Sequence, residues 1–369
     1  MWPNTQLLTL LGLEVPIIQA PMAGAQGAEL AIAVSEAGGL GSLPCAMLSV
    51  EQMRAELELI RQRTRKPVNV NFFCHRPPAP DREREERWRQ RLASYYAELG
   101  VDAAAVAGAS RRPFDEAACA IVEEFRPEVV SFHFGLPERA LLARVKATGA
   151  KVLSSATTVA EARWLEAEGC DAIIAQGFEA GGHRGMFFSE DIATQVGTMA
   201  LVPQVVDAVR VPVIAAGGIG DARGIVAAFA LGAAGVQLGT AYLGCPEAKI
   251  TPLHREALRT AKDDSTVLTN VISGRPARGI ANRLVREVGP MSDLAPAFPL
   301  ATGAIAPLRA KAEAMGSAEF SPLWAGQAAA LMREMGAGEL TRWLAAEAEE
   351  RLGSSLAGPW LERRNPSQR

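Results

Sequence analysis

One histidine in this chain is held between glycines. Residues 176–185 read Gln-Gly-Phe-Glu-Ala-Gly-Gly-His-Arg-Gly, so His183 follows Gly181 and Gly182 directly, and Gly185 lies two positions beyond it. Glycine lets the backbone approach a ligand and adopts positive φ without strain. An imidazole carried on such a segment is aimed at a site. With an unperturbed pKa near 6.5 it can take a proton at neutral pH; as an N–H donor or imidazolium it can instead hold an anion. Two further glycine sites, Ala216-Gly217-Gly218-Ile219 and Gln237-Leu238-Gly239-Thr240, each accompany a short apolar run and offer main-chain N–H groups beside a helix start. Such groups favour phosphate, and here they lack an accompanying Lys or Arg, so the backbone would do the binding. His133 is a second candidate, on the same face of its strand as Ser131.

The elements that must carry these residues alternate between two periods. Apolar runs at 15–19, 40–43, 68–72, 129–134, 151–155, 172–176, 213–216 and 235–238 read as strands. Amphipathic or capped stretches between them, for example 28–37, 50–64, 137–148, 159–168, 201–209 and 222–231, read as helices. Eight strand–helix units specify a parallel sheet closed into a (β/α)8, or TIM, barrel, whose working residues project from the C-terminal strand ends and whose phosphate sits after strands seven and eight. Asn69 and Asn71 alternate with apolar residues, which puts both amides on one face of the third strand. The rhythm breaks at 76–115, where a Pro-rich loop precedes a stretch charged with both signs, read as a solvated helical insertion. A barrel over 1–244 is followed by a mainly helical subdomain over 245–357 and a disordered tail over 358–369. The Ala-rich C-terminal helices are free to pack on their own barrel or on a second copy in a homodimer.

Composition narrows the partners. The chain has 369 residues and a formal net charge of −3 with no basic stripe, which argues against nucleic acid and against an anionic membrane surface. Five scattered cysteines with no Cys-x-x-Cys pair fit reduced thiols in the cytoplasm and give no metal site. The chain shows no signal-peptide start and no apolar run of the ~18 residues that a membrane span needs.

The runs Gln19-Ala20-Pro21-Met22-Ala23-Gly24, Gly38-Gly39-Leu40-Gly41 and Glu179-Ala180-Gly181-Gly182-His183-Arg184-Gly185, together with 212–219 and 235–240, resemble the nitronate monooxygenases. Ser273-Gly274-Arg275-Pro276-Ala277-Arg278-Gly279 and Phe320-Ser321-Pro322-Leu323-Trp324-Ala325-Gly326-Gln327 resemble the larger, class I branch of that family. The resemblance implies a TIM barrel that binds FMN and oxidises alkyl nitronates with O2 to a carbonyl compound and nitrite. By position it implies flavin contacts at Met22, Asn69, Gln176, Gly181, Gly218, Gln237, Gly239 and Thr240, to which the glycine reading adds Gly217, and it implies a catalytic role for His183. Class I relatives carry pocket tyrosines, partly from the segment after the barrel, whereas the tyrosines here are Tyr95, Tyr96 and Tyr242. That departure points to a more apolar substrate. The FMN-dependent NAD(P)H reductases of the enoyl-acyl-carrier-protein and quinone types share the Gly-Gly-His stretch and are the alternative.

Overall fold

A computed structural model describes residues 1–102 and 111–357. The expected tail at 358–369 and part of the insertion, 103–110, lie outside the described residues. In chain order the strands are β1 (Ile17–Gln19), β2 (Gly41–Pro44), β3 (Val68–Phe73), β4 (Val129–His133), β5 (Lys151–Ala156), β6 (Ala172–Gln176), β7 (Gly182–His183), β8 (Val213–Ala216), β9 (Gly235–Leu238), β10 (Thr266–Thr269) and β11 (Ala277–Ile280). Eight of them form one parallel sheet in the order β1-β9-β8-β6-β5-β4-β3-β2. Hydrogen bonds from Leu40 N to Ile17 O (2.9 Å) and from Gln19 N to Leu40 O (3.0 Å) join its two ends and close the barrel. The fold is the TIM barrel that the alternation of strand and helix signals predicts.

Side-chain alternation divides each strand between two cores. Ile18, Leu153, Ile174 and Ile214 fill the barrel interior with Leu7 and Leu11 of the helix Gln6–Leu11, which plugs the N-terminal end. Their neighbours Ile17, Val152, Ile173 and Ala215 face outward into the layer between strands and helices. The bottom of the barrel is thus solid, and the cavity within it lies at the top.

The outer ring is completed from far along the chain. Helix Ala337–Ala357 packs on Ala222–Ala230 and Ala28–Glu36, placing Leu340, Leu344 and Ala348 in the main core. The Tyr242 hydroxyl meets Thr341 Oγ1 at 2.8 Å beneath it. The last helix therefore packs on its own barrel.

The charged insertion differs from the solvated helix expected. Helix Arg82–Leu99 is capped by Asp81, whose carboxylate accepts from Arg84 N, and ends at Gly100 with φ 61°. Trp88, Leu92, Tyr95 and Tyr96 are buried in a second core with Ala304, Ile305 and Leu308 of helix Ala301–Ala314. Their spacing of i, i+4, i+7 and i+8 is one helical face, and only the opposite face is solvated. Where the described chain resumes, Arg111 lines the barrel mouth and Phe114 N donates to Phe73 O at 2.7 Å. A small antiparallel sheet, β10-β11-β7, completes the mouth.

Candidate active site

The C-terminal ends of the strands surround a cavity of about 280 Å³. Asn71 and Phe73 from β3, His133 from β4, Ser155 from β5, Gln176 from β6 and Gln237 from β9 reach it from the barrel. Glycines form one wall. Gly217 and Gly218 have φ values of 109° and 71°, which side-chain-bearing residues rarely adopt. A Cβ on Gly181 would stand 2.5 Å from Gly326 N, so the late Trp324-Ala325-Gly326 segment closes directly onto the loop before the histidine. The main-chain N–H groups of Gly218, Ile219 and Gly220 donate no hydrogen bond among the described residues.

The two-residue strand β7 places His183. It pairs with β11 in the register Ala277↔His183 and Arg278↔Gly182, and Arg184 N donates to Pro276 O at 2.9 Å. The same late segment supplies Ser273, whose Oγ lies 2.9 Å from His183 Nε2. The Ser273 hydroxyl can donate to Arg275 O (3.3 Å) while accepting from Nε2 of His183, the tautomer that leaves the lone pair on Nδ1. Burial holds the imidazole pKa well below its ordinary value, and the Arg111 guanidinium and His133 lower it further. A pKa held in that direction favours the neutral ring, the form that accepts a proton.

His133 and Gln176 hold the main chain behind it. His133 Nδ1 meets Ser155 Oγ at 2.6 Å and its Nε2 meets His183 O at 3.2 Å, so both ring nitrogens are engaged. Burial, with the nearby Arg275 charge second, lowers its pKa to about 3. Gln176 donates from Nε2 to His183 O at 3.0 Å and accepts from Gly185 N at 2.7 Å. Arg184 is fully buried beneath the loop, donating to Gly177 O, to Gln176 O at 2.7 Å and to Gln195 Oε1 at 3.0 Å. A buried cation with three acceptors in fixed directions locks the turn that presents His183.

This arrangement, a closed barrel whose glycine-lined mouth carries a histidine on a segment paired with β11, is the setting in which residues 4–347 match the nitronate monooxygenase family model. The chain belongs to that family. It is 45% identical over 341 residues to the nitronate monooxygenase of Pseudomonas aeruginosa, covering 92% of this chain and 97% of that one. A nitroalkane oxidase from Streptomyces ansochromogenes superposes with a TM-score of 0.86 at 39% identity, over 95% of this chain and 99% of that one. FabK from Thermotoga maritima superposes with a TM-score of 0.75 at 29% identity, over 97% and 99%. Like the members of this family, the protein is an oxidoreductase.

Set against the family resemblance, Met22, Gln176, Gly181, Gly217, Gly218, Gln237, Gly239 and Thr240 all line the cavity with His183 and His133. Asn69 does not. It lies deeper in the barrel, donating to Ser42 Oγ at 2.9 Å, and the amide at the mouth is Asn71, two residues on along the same face. The reason is strand geometry: one alternate step moves a side chain by nearly 7 Å, from the packed interior to the rim. Motif reading also passed over Arg111 and Ser273. Ser273 lies in a motif named for its resemblance alone, and Arg111 belongs to the insertion that reads as solvent-facing.

Proposed function

We propose that the protein holds FMN in the mouth of its barrel and oxidises alkyl nitronates with O2, yielding a carbonyl compound and nitrite. The observation that carries this reading is one cavity in which glycine main chain at the ends of β8 and β9 stands across from an imidazole on β7. The donor set suits a flavin mononucleotide. Unengaged N–H groups beside Gly217-Gly218 would take the phosphate, with Gly239 and Thr240 beside it. Gln237 Oε1 is buried without a hydrogen-bond partner, an acceptor that a ring N–H would satisfy. Met22 would pack against the ring system. A bound flavin would supply the redox centre between the substrate and O2.

The chain's own groups orient the substrate and handle the proton. Neutral His183, with Nε2 tied to Ser273, offers Nδ1 to the α-proton of a neutral nitroalkane. A nitronate has already lost that proton and needs a partner for its charge instead. Phe73, Ala20 and Met22 keep the cavity largely apolar, which strengthens any charge interaction made inside it.

Gentle purification followed by a visible spectrum tests the cofactor. A yellow protein whose spectrum is restored by FMN after stripping supports the proposal, and a colourless one that cannot be reconstituted ends it. Oxygen uptake with stoichiometric nitrite release from a nitronate panel tests the reaction. Anaerobic bleaching by NADH with none by nitronates would favour the reductase instead. His183→Asn separates the two roles of the imidazole: proton removal predicts loss of nitroalkane turnover with substantial nitronate turnover retained.

A further inference from the structure

Arg111 and Arg309 line the cavity and Arg184, Arg275 and Arg278 stand on the segments around it; among these five, four have an acceptor. Arg184 donates to Gln176 O and Gly177 O, Arg278 to Phe178 O, Arg275 to Met186 O, and Arg309 to Glu313 Oε1 at 2.8 Å. Arg111 is the exception. Its guanidinium lines the cavity with His183, and its Nη1 is shut off from solvent with no hydrogen-bond partner. Its Cζ stands 5.5 Å from the centre of the Phe298 ring, and that ring packs 5.1 Å from His183 on another side. Among the described residues no carboxylate pairs with it. Burial, and after it the like charge of Arg309, lowers its pKa to about 10, still a cation at neutral pH.

A cation taken out of water without a counter-ion is costly, and structures retain one where a ligand supplies the missing charge. The guanidinium is a planar fork matched to anions with two oxygens on one atom. A nitronate has that form, with its negative charge shared by the two oxygens on nitrogen. Neutral His183 cannot supply the balancing charge, and Arg111 itself contributes to that neutrality.

We propose that Arg111 is the anion receptor of this cavity and the residue by which the enzyme prefers an alkyl nitronate to the neutral nitroalkane from which it forms. The selectivity rests on the nitronate oxidation proposed above, whereas the anion site is independent of it. The pairing also divides the labour between the two groups. Arg111 holds charge that the substrate already carries, and His183 handles a proton that it has not yet lost.

Sodium nitrate, a planar oxyanion with the same O–N–O unit, serves as an equilibrium probe titrated into the purified holoenzyme at constant ionic strength. Calorimetry and thermal melting are expected to show nitrate binding competitively with nitronate in the wild type. In Arg111→Gln the binding should weaken about tenfold or more, the scale of one charge-assisted hydrogen bond, with Arg111→Lys in between. In the absence of nitrate, Arg111→Gln should melt no lower than wild type, because it removes a largely buried cation whose Nη1 is shut off from solvent without an acceptor. A purely structural arginine would lower the melting temperature. The ratio of kcat/KM for a nitronate to that for its parent nitroalkane should fall about tenfold or more in Arg111→Gln. Equal nitrate binding in wild type and Arg111→Gln, or an unchanged ratio, overturns the proposal. Nitrate binding that depends on Arg111 in a protein without nitronate turnover would refute the selectivity and the proposed reaction while upholding the anion receptor.

Discussion

Gln176 grips both sides of His183: its Nε2 donates to the His183 carbonyl at 3.0 Å and its Oε1 accepts from Gly185 N at 2.7 Å. The residue that ends the sixth strand thus fixes the segment on which the imidazole is presented. Its amide also lines the cavity, so it shapes the site while it sets the geometry of the loop.

Replacing Gln176 with Leu keeps the volume but leaves the Gly185 N–H without its acceptor, at about 1–3 kcal/mol, and takes one of two partners from the His183 carbonyl, which keeps His133 Nε2 at 3.2 Å. Turnover should fall about tenfold or more through misplacement of the imidazole. Gln176→Glu restores the acceptor but not the donor and should recover part of the loss. Steady-state rates beside thermal melting would check this; full activity in Gln176→Leu would show that the loop holds itself.

The four histidines of the chain share one pH signature. Burial is the leading cause in each case: it lowers His133 to about 3 and His75 and His254 to about 4, and it takes His183 well below the ordinary value. Below about pH 6.5 the unfolded chain binds protons that the folded one refuses, so stability present at pH 7 is lost as pH falls from about 6.5 toward 4. Urea midpoints between pH 7.5 and 5 should decline, and His183→Asn should flatten the decline. A constant midpoint over that range would count against neutral buried imidazoles.

The same depression bears on catalysis. The kcat/KM for a neutral nitroalkane should show no acid limb near pH 6.5, because His183 stays unprotonated well below it. A limb at the ordinary imidazole value would mean that the ring titrates freely.

Leu344 is fully buried in the main core on the helix that closes the outer ring. Leu344→Ala should cost about 2–5 kcal/mol, detectable as a lower denaturant midpoint. If that helix were dispensable, the substitution and a truncation before residue 337 would both leave the midpoint unchanged.

Gly41 begins β2, and a Cβ there would stand 1.9 Å from Ala31 O on the main chain of the neighbouring helix. Because backbone cannot move aside as a flexible side chain can, Gly41→Ala should destabilise on the order of 3 kcal/mol or more. Circular dichroism melts would read it, and a wild-type melt would show that the helix shifts freely.

The sequence by itself determined the barrel. Alternating periods of two and 3.6 are local properties, and eight repeats of them have one efficient way to bury their apolar faces. It also determined the glycine loops and His183, because a φ of 109° at Gly217 or 71° at Gly218 demands a residue type that shows in the chain. Tertiary structure alone decided what surrounds them. His183 is oriented by Ser273, ninety residues away, through a β7–β11 pairing with no local signature. Asn71 rather than Asn69 reaches the cavity because the depth of a strand in the barrel depends on register with its neighbours. Arg111 sits in a stretch that reads as solvent-facing, and it lines the mouth three residues before Phe114, which is buried in the main core and donates from its N–H to Phe73 O at the end of β3. Spacing along a chain encodes which face of an element is apolar; which distant element covers that face, and which charge it leaves without a partner, is settled only when all the faces are packed at once.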